Sequence, residues 1–228
     1  GEVDLAAQRE ALRAATDEAV SHGIFGAPSF VVDGRMWGGH DRLHLVEEAL
    51  GGARAPAPPS SRRTVDFWFD FASPFAYLAS TQVDTVAAVV RWRPMLLGAV
   101  FKAVGQVDVP LFAMCPAKQR YTLEDMDRWA RWWGVPFRFP SRFPLRTVLP
   151  LRAVLAHPDP VPFAHRVFRA AWVDDRDIAD PAVLADCGAS RDVLAAAEGE
   201  RQALFDATAA AVAAGVFGTP SFVVDGTD

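Results

Sequence analysis

The chain has 228 residues, of which 51% are hydrophobic, and a formal net charge of −5. This composition supports one or two globular domains and disfavours a disordered chain. There is no apolar run long enough to cross a bilayer and no basic patch for nucleic acid, so we expect a cytoplasmic protein with neither membrane nor nucleic acid as a partner.

The first 52 residues carry the pattern helix, hairpin, helix. Apolar and small residues recur at helical spacing until Gly23, and Asp33-Gly34 is typical of a tight turn between strands. The pattern predicts a helix over 5–22, strands over 28–33 and around 36–37, and a helix over 41–50.

A proline-rich segment follows at 53–63 (ARAPAPPSSRR). Prolines disfavour a helix and favour extended conformations, so this segment predicts a semi-rigid linker. Residues 64–97 then predict β-α-β. The strand signal covers 64–71, the helix begins at Ser73-Pro74, and a second strand lies near 89–96.

Strand signals fade over 98–200, whereas helical periodicity is present at 123–133, 162–173 and 180–197. These residues predict an inserted helical subdomain.

One stretch of sequence occurs twice. Residues 9–34 match residues 201–226 without a gap at 17 of 26 positions, with an offset of 192 residues. The chain therefore carries the α-β-β-α half of a domain over 1–52, and a shorter α-β copy of it over 201–228. Such a duplication is expected of a tandem or circularly permuted domain.

The order β-α-β, helical insertion, α-β-β-α is that of a thioredoxin-like domain. Either copy of the repeated stretch could pair with the strand at 64–71, and only residues 1–52 hold the complete second half. The sequence leaves open which copy completes the sheet.

Thioredoxin-like redox enzymes carry a cysteine pair between the first strand and the first helix. Here that place reads Ala72-Ser73-Pro74, so the chain cannot perform dithiol exchange there. A helix N-terminus with a serine hydroxyl suits the thiolate of another molecule, such as glutathione. Ser73 is equally well explained as a helix N-cap before Pro74. The cysteines, Cys115 and Cys187, and the five histidines lack the spacing of a disulfide framework or a metal site, so no metal is expected.

The run from Phe67 to Ser80 (FWFDFASPFAYLAS) resembles the opening of the 2-hydroxychromene-2-carboxylate isomerases and kappa-class glutathione transferases. These are thioredoxin folds of the DsbA type with a serine in place of the redox cysteine. Outside the linker the resemblance extends over the rest of the chain, in Gly26–Phe30, Trp37–Leu43, Arg93-Pro94, Gly98–Gly105, Lys118 with Tyr121, Phe143-Pro144 and Ala171-Trp172. It implies an α/β fold of the DsbA and kappa type with an inserted helical subdomain.

The resemblance also implies a glutathione site. Ser73 becomes the catalytic residue that hydrogen-bonds the glutathione sulfur and keeps it ionised. Thr219-Pro220, or Ala27-Pro28 in the first copy, becomes the cis-proline pair whose backbone contacts the cysteinyl part. A trans proline that begins a strand is the alternative at both places.

Further glutathione contacts are implied by position. Lys118 would meet a carboxylate, although most lysines are solvated surface charges. Gln106 stands where relatives commonly have asparagine. His40-Asp41 resembles a clamp on the γ-glutamyl end, whereas spacing alone favours a helix cap with a surface ion pair equally.

The substrate pocket is expected to include Phe75 and Trp172, although aromatics at helical spacing usually pack in a core. Arg146 replaces an asparagine common in the isomerases, which bears on substrate specificity.

The function implied is a glutathione-dependent isomerase acting on a small aromatic 2-oxo-acid-type substrate. The Ser73-stabilised thiolate would add to an electrophilic carbon, the ring would open, the new single bond would rotate, and glutathione would leave. The alternatives are a kappa-like transferase that releases the conjugate and a non-catalytic glutathione-binding fragment, with a homodimer or pairing with another repeat as candidate assemblies. If strand 28–33 lies beside strand 65–71, Asp41 and Ser73 can share a pocket; if only strand 219–224 does, we expect impaired glutathione binding.

Overall fold

The structure, a computed structural model, describes residues 5–53, 63–86 and 88–226. Contacts separate the chain into two compact units. The first unit holds residues 1–58 and 114–122, and the second unit holds residues 59–113 and 123–228. Residues 54–62 of the expected linker and the terminal Asp228 lie outside the described residues.

The first unit contains a helix, a β-hairpin and a short helical end. Asp33 and Gly34 both have positive φ, 48° and 73°, as a two-residue hairpin turn requires. The hairpin strands pair in antiparallel fashion, with Ser29 opposite Gly38. The elements are α1 (Leu5–Ser21), β1 (Ser29–Val32), β2 (Arg35–Gly38), a 3₁₀ helix (His40–Arg42) and α2 (Leu43–Ala49).

The small core of the first unit lies around the hairpin. Trp37 is 4% exposed, and Leu45 of α2 is equally buried. The hydroxyl of Tyr121 accepts the N–H of Gly38 at 2.9 Å, and the Tyr121 ring lies 5.3 Å from that of Phe25. None of the residues of α1 is buried.

The second unit is built on a three-stranded sheet in the order β4-β3-β5. Strand β3 (Thr64–Phe69) is parallel to β4 (Val89–Pro94) and antiparallel to β5 (Ser221–Val224). The later copy of the repeated stretch therefore pairs with β3, whereas the hairpin of the earlier copy is a separate two-stranded sheet.

Helices account for most of the remaining described residues. The expected helical insert holds no strand among its described residues, which are all of 98–200. The helices outside the first 52 residues are α3 (Pro74–Val83), α4 (Leu97–Val104), α5 (Pro110–Ala113), α6 (Pro116–Trp133), α7 (Val148–Ala156), α8 (Pro160–Trp172), α9 (Pro181–Asp186), α10 (Arg191–Gly199) and α11 (Arg201–Ala213).

Several of these helices differ from the sequence expectation. Helices α4 and α5 were not predicted, and the helix expected over 180–197 is divided into α9 and α10. Helix α6 begins at Pro116, seven residues before the expected start at 123. Helix α7 (VLPLRAVLA) was not predicted, because it is apolar over most of its surface and shows no polar stripe at helical spacing.

Strand β3 is buried on both faces. Phe67 and Phe69 are fully buried in the main core cluster, where Phe69 lies 5.7 Å from the ring of Phe168 on α8. Trp68 points to the opposite face and packs in a second cluster with Met95, Val100, Ala211 and Val216. A strand with two covered faces is the central element of an α/β sheet.

An ion-paired carboxylate also joins β3 to β4. Asp66 is 8% exposed and accepts hydrogen bonds of 2.8 Å from Arg91 and from Arg93. Burial raises the pKa of the Asp66 carboxyl, but the hydrogen bonds from Arg93 and Arg91 outweigh burial and hold it below its usual value.

We expect Asp66→Asn to lower the free energy of unfolding at pH 7 by about 1 kcal/mol, a value reduced by the exposure of the arginines. A carboxyl with a lowered folded-state pKa stabilises the fold above its unfolded pKa of about 3.9, and this stabilisation is lost as pH falls through the folded value. Urea unfolding at pH 7 and pH 3 should therefore show that the difference in unfolding free energy between the parent and Asp66→Asn is smaller at pH 3. Glu124→Gln, which removes an exposed i,i+4 pair with Arg128, is the control and should change stability by a few tenths of a kcal/mol. An Asp66→Asn effect that is equal at both pH values would contradict this account.

Candidate functional site

Ser73 begins helix α3 at the carboxyl end of β3. Its Oγ accepts the N–H of Ala76 at 3.1 Å, and Pro74 occupies the first helical position, where a missing N–H costs nothing. The cap expected from the sequence is thus present. Helix α3 has no acidic residue in its first turn, so the positive end of its dipole is not neutralised locally.

The same hydroxyl reaches a second segment of the second unit. Ser73 Oγ donates a hydrogen bond of 2.9 Å to the carbonyl oxygen of Thr219. The Thr219-Pro220 bond is cis, as the resemblance implies, and Thr219 Oγ1 in turn donates to the carbonyl of Trp68 at 3.1 Å. The fold therefore brings a helix N-terminus and a cis-proline segment, 146 residues apart in the chain, into direct contact.

Asp70 is a buried carboxylate that holds the loop before Ser73, and it was not identified from the sequence. Its carboxylate is 1% exposed and accepts the N–H groups of Ala72 at 3.0 Å and of Leu97 at 2.7 Å. Burial raises the pKa of Asp70, and the backbone bonds and one from the Thr147 side chain oppose this shift only in part. The signal in the sequence was a lone acid between two phenylalanines at the end of an apolar strand. The residue connects the loop before Ser73 to the start of α4.

A cavity of about 560 Å³ opens beside this loop. It is mostly apolar, and its charged lining residues are Asp70, Asp108, Arg146 and Arg152. Ala72, directly before Ser73, lines the cavity, while Ser73 is not among its lining residues and is 5% exposed. Ser73 is therefore almost fully buried, and the residue before it forms part of the cavity wall.

The other expected residues of the second unit lie in different surroundings. Phe75 is half-buried against the main core cluster. Trp172 is fully buried, and its indole N–H donates to the carbonyl of Phe71 at 2.8 Å. The structure thus places Trp172 in the core, not on a pocket wall, because α8 packs it beneath the loop that precedes Ser73. Gln106 is exposed after Gly105, which ends α4 with a φ of 75°.

The remaining expected residues belong to the first unit. The Ala27-Pro28 bond is also cis, and the Pro28 carbonyl accepts the N–H of Gly39 at 2.9 Å, next to His40-Asp41. Asp41 is exposed and pairs with Arg42. Lys118 Nζ lies 6.0 Å from the centre of the Phe25 ring. The expected glutathione contacts are therefore divided between the two units.

Within the described ranges 5–53, 63–86 and 88–226, no group of His, Cys, Asp and Glu side chains could hold a metal ion. No helix in these ranges is both long enough and apolar enough to span a membrane.

A mixed sheet, a capped helix end beside a cis-proline, and a helical insertion together define a thioredoxin-like protein of the DsbA type. The family model of the DSBA-like thioredoxin domain matches residues 3–51 and 64–228, and the chain belongs to this family. The fold and the family resemblance expected from the sequence are confirmed.

The relatives that this chain matches are named as 2-hydroxychromene-2-carboxylate isomerases and as kappa glutathione S-transferases. A 2-hydroxychromene-2-carboxylate isomerase of Pseudomonas putida is 32% identical over 113 residues, covering 47% of this chain and 55% of the relative. A kappa glutathione S-transferase of Caenorhabditis elegans is 32% identical over 84 residues, covering 35% of this chain and 36% of the relative. The chain thus spans about half, or less, of the length of these relatives.

A solved structure of a 2-hydroxychromene-2-carboxylate isomerase superposes with a TM-score of 0.61 at 25% identity. The superposition covers 70% of this chain and 84% of that protein.

The start of α3 should stabilise an anion whether or not a ligand is bound. In a chain whose own cysteines are replaced (Cys115→Ser, Cys187→Ala), we expect Ser73→Cys to give a thiol whose pKa lies below the ordinary value of about 8.5, because the helix N-terminus favours the thiolate. Thiolate absorbance in the ultraviolet, followed against pH, measures this. Ser80→Cys is the control, since Ser80 is buried in the same helix away from its N-terminus. A Ser73→Cys thiol that titrates as high as the control thiol would show that the helix end has no such effect.

Proposed function

We propose that this protein is a glutathione-dependent isomerase similar to 2-hydroxychromene-2-carboxylate isomerase, with Ser73 as its catalytic residue. The observation that carries the proposal is the 2.9 Å contact between Ser73 Oγ and the carbonyl of Thr219, the residue before cis Pro220. It supports a site where a hydroxyl donor and a peptide-binding backbone segment face the same small volume. The similarity to named isomerases supports the same reaction class.

Ser73 would act as a hydrogen-bond donor to sulfur. Its Oγ already accepts the N–H of Ala76, which polarises the hydroxyl and strengthens it as a donor. The hydrogen bond to Thr219 is the one that a bound thiolate would replace, because the hydroxyl has a single proton. Glutathione supplies the nucleophilic thiolate, whose reversible addition lets a former double bond rotate. A neutral hydroxyl stabilises the sulfur only in part, which preserves its nucleophilicity.

The 560 Å³ cavity supports an aromatic carboxylate as the substrate. Its volume is within the usual range for small-molecule sites, and apolar walls suit an aromatic ring. Arg146 and Arg152 line it and offer cations to a carboxylate, and neither forms an ion pair with any residue in the described ranges.

The glutathione site of this chain is expected to bind weakly. Strand β5 pairs with β3, whereas the strand that leads to His40-Asp41 belongs to the separate sheet of the first unit. Impaired glutathione binding is the outcome that the sequence predicts when only strand 219–224 pairs with strand 65–71.

Titration calorimetry with glutathione tests the site. We expect weak binding, a further loss of at least about tenfold for Ser73→Ala, because a hydrogen bond to a charged group contributes about 1.5–3 kcal/mol, and little change for Asp41→Ala. Ser73→Ala should also raise the pKa of the bound glutathione thiol, seen as reduced thiolate absorbance at neutral pH. Unchanged affinity and absorbance in Ser73→Ala would refute the site.

The second candidate is a transferase, favoured by the similarity to kappa glutathione S-transferases. Both reactions need the same thiolate, so the distinction lies in glutathione turnover. Isomerisation at constant glutathione supports the proposed function, whereas consumption of glutathione with a conjugated product supports the transferase.

The cavity makes a separate prediction about the substrate. We expect Arg146→Met to raise KM for a carboxylate substrate about tenfold or more while leaving the glutathione affinity unchanged, because the substitution keeps an unbranched apolar stem but removes the charged guanidinium. Steady-state kinetics with the acid and with its neutral methyl ester separates charge from shape, since the ester should respond little to the substitution. Equal effects on acid and ester would argue against a carboxylate contact.

A further inference from the structure

The two copies of the repeated stretch are used differently. In the second unit, Leu204, Thr208 and Ala211 of α11 are buried. The residues 192 positions earlier are Leu12, Thr16 and Ala19 on α1, where Leu12 is 69% exposed and no residue is buried. This face is thus buried in α11, whereas in α1 Leu12 and Thr16 are exposed and Ala19 is half-buried.

The covered copy shows what this face fits. Ala211 and, after the helix, Val216 pack with Trp68 and Val100 in the second cluster. Thr208 Oγ1 accepts the N–H of Leu96 at 3.0 Å. Leu204 packs in the main core cluster, which includes α7. The docking face is therefore formed by β3, the end of β4, α4 and α7.

The strand after the helix docks on the edge of β3. Phe222 of β5 stacks on Phe67 at 5.3 Å, and Asp225 binds Arg63 and the N–H of Thr64. In the first copy, the residues equivalent to Phe222 and Asp225, 192 positions earlier, are Phe30 and Asp33. Strands β1 and β5 have the identical sequence SFVV.

The first copy carries most of the side chains that contact the docking face, although Ala27 replaces Thr219, whose hydroxyl donates to the carbonyl of Trp68. Leu, Thr, Ala, Phe and Asp are retained, and Ile24 replaces Val216. Replacing one copy by the other would therefore place identical or similar side chains at these positions. The first copy would also add a strand to the sheet. Among the described residues, β5 has a partner on one edge only, whereas β1 already pairs with β2.

We propose that α1, β1 and β2 of one molecule form a docking surface for β3 and α4 of a second copy of this chain, in place of that copy's α11 and β5. The occupant is a second copy because the docked segment and its matching face both occur in this chain. This inference does not depend on the proposed function.

Disulfide trapping tests the exchange in the full chain with its own cysteines replaced (Cys115→Ser, Cys187→Ala). Val224 lies directly opposite Val65, at a separation a disulfide can span, and the residue equivalent to Val224 in β1 is Val32. A mixture of the single variants Val32→Cys and Val65→Cys can form a mixed disulfide only between molecules. We expect a covalent dimer on a non-reducing gel that exceeds the dimer formed by either variant alone, increases with protein concentration, and is at least about tenfold above that of the matched mixture with Val31→Cys.

Two matched leucine variants add a second readout. Leu204→Ala weakens the resident helix and should increase the cross-linked fraction, whereas Leu12→Ala weakens the incoming helix and should decrease it. Cross-linking no higher than with Val31→Cys would overturn the proposal. So would a Val32→Cys, Val65→Cys double variant that closes only within one chain, or a Leu12→Ala variant that cross-links as well as the parent.

Discussion

The second unit depends on the pairing of β3 with a strand on each side. β3 presents Phe67 and Phe69 to one face and Trp68 to the other, so both faces are covered and both edges are occupied. A strand in this position controls the direction in which the chain leaves its carboxyl end. Ser73 lies at the start of α3 because β3 ends four residues earlier, at Phe69, in the middle of the sheet. The helix N-terminus is therefore held at a buried and well-supported place.

The candidate site follows from that constraint. β5 runs antiparallel to β3, so its beginning lies at the same end of the sheet as the end of β3. The cis Thr219-Pro220 segment immediately precedes β5 and meets Ser73 there. Asp70 connects this end to α4 through backbone N–H groups, which aligns the cavity wall with the helix start. A hydroxyl, a helix dipole and a carbonyl are thus assembled, and both hydrogen bonds of Ser73 Oγ within the described residues are to backbone groups.

Several elements could be predicted from local pattern, and others could not. The hairpin at Asp33-Gly34, the strand at Thr64 and the Ser73 cap depend on residues near one another in sequence, and each forms as expected. Helix α7 escaped prediction because burial on most sides removes the polar stripe that reveals helical period. Trp172 was expected in the substrate pocket, with a core position as the alternative, and its buried indole beneath Phe71 lies in the core. Asp70 was missed because its role depends on Leu97 and Thr147, which are distant in sequence.

The sequence by itself determined the family, the α/β class and the repeat of residues 9–34 at 201–226, because these depend on residue types and their order along the chain. It also determined that a serine, not a cysteine, would begin the helix after the first long strand. Only the tertiary structure decided which copy of the duplicated half pairs with β3. The two segments have the same strand sequence, SFVV, so the strand residues alone cannot choose between them. The choice depends on the connection of each segment to the rest of the chain and on the packing of α11 against α4, which is a property of the folded molecule.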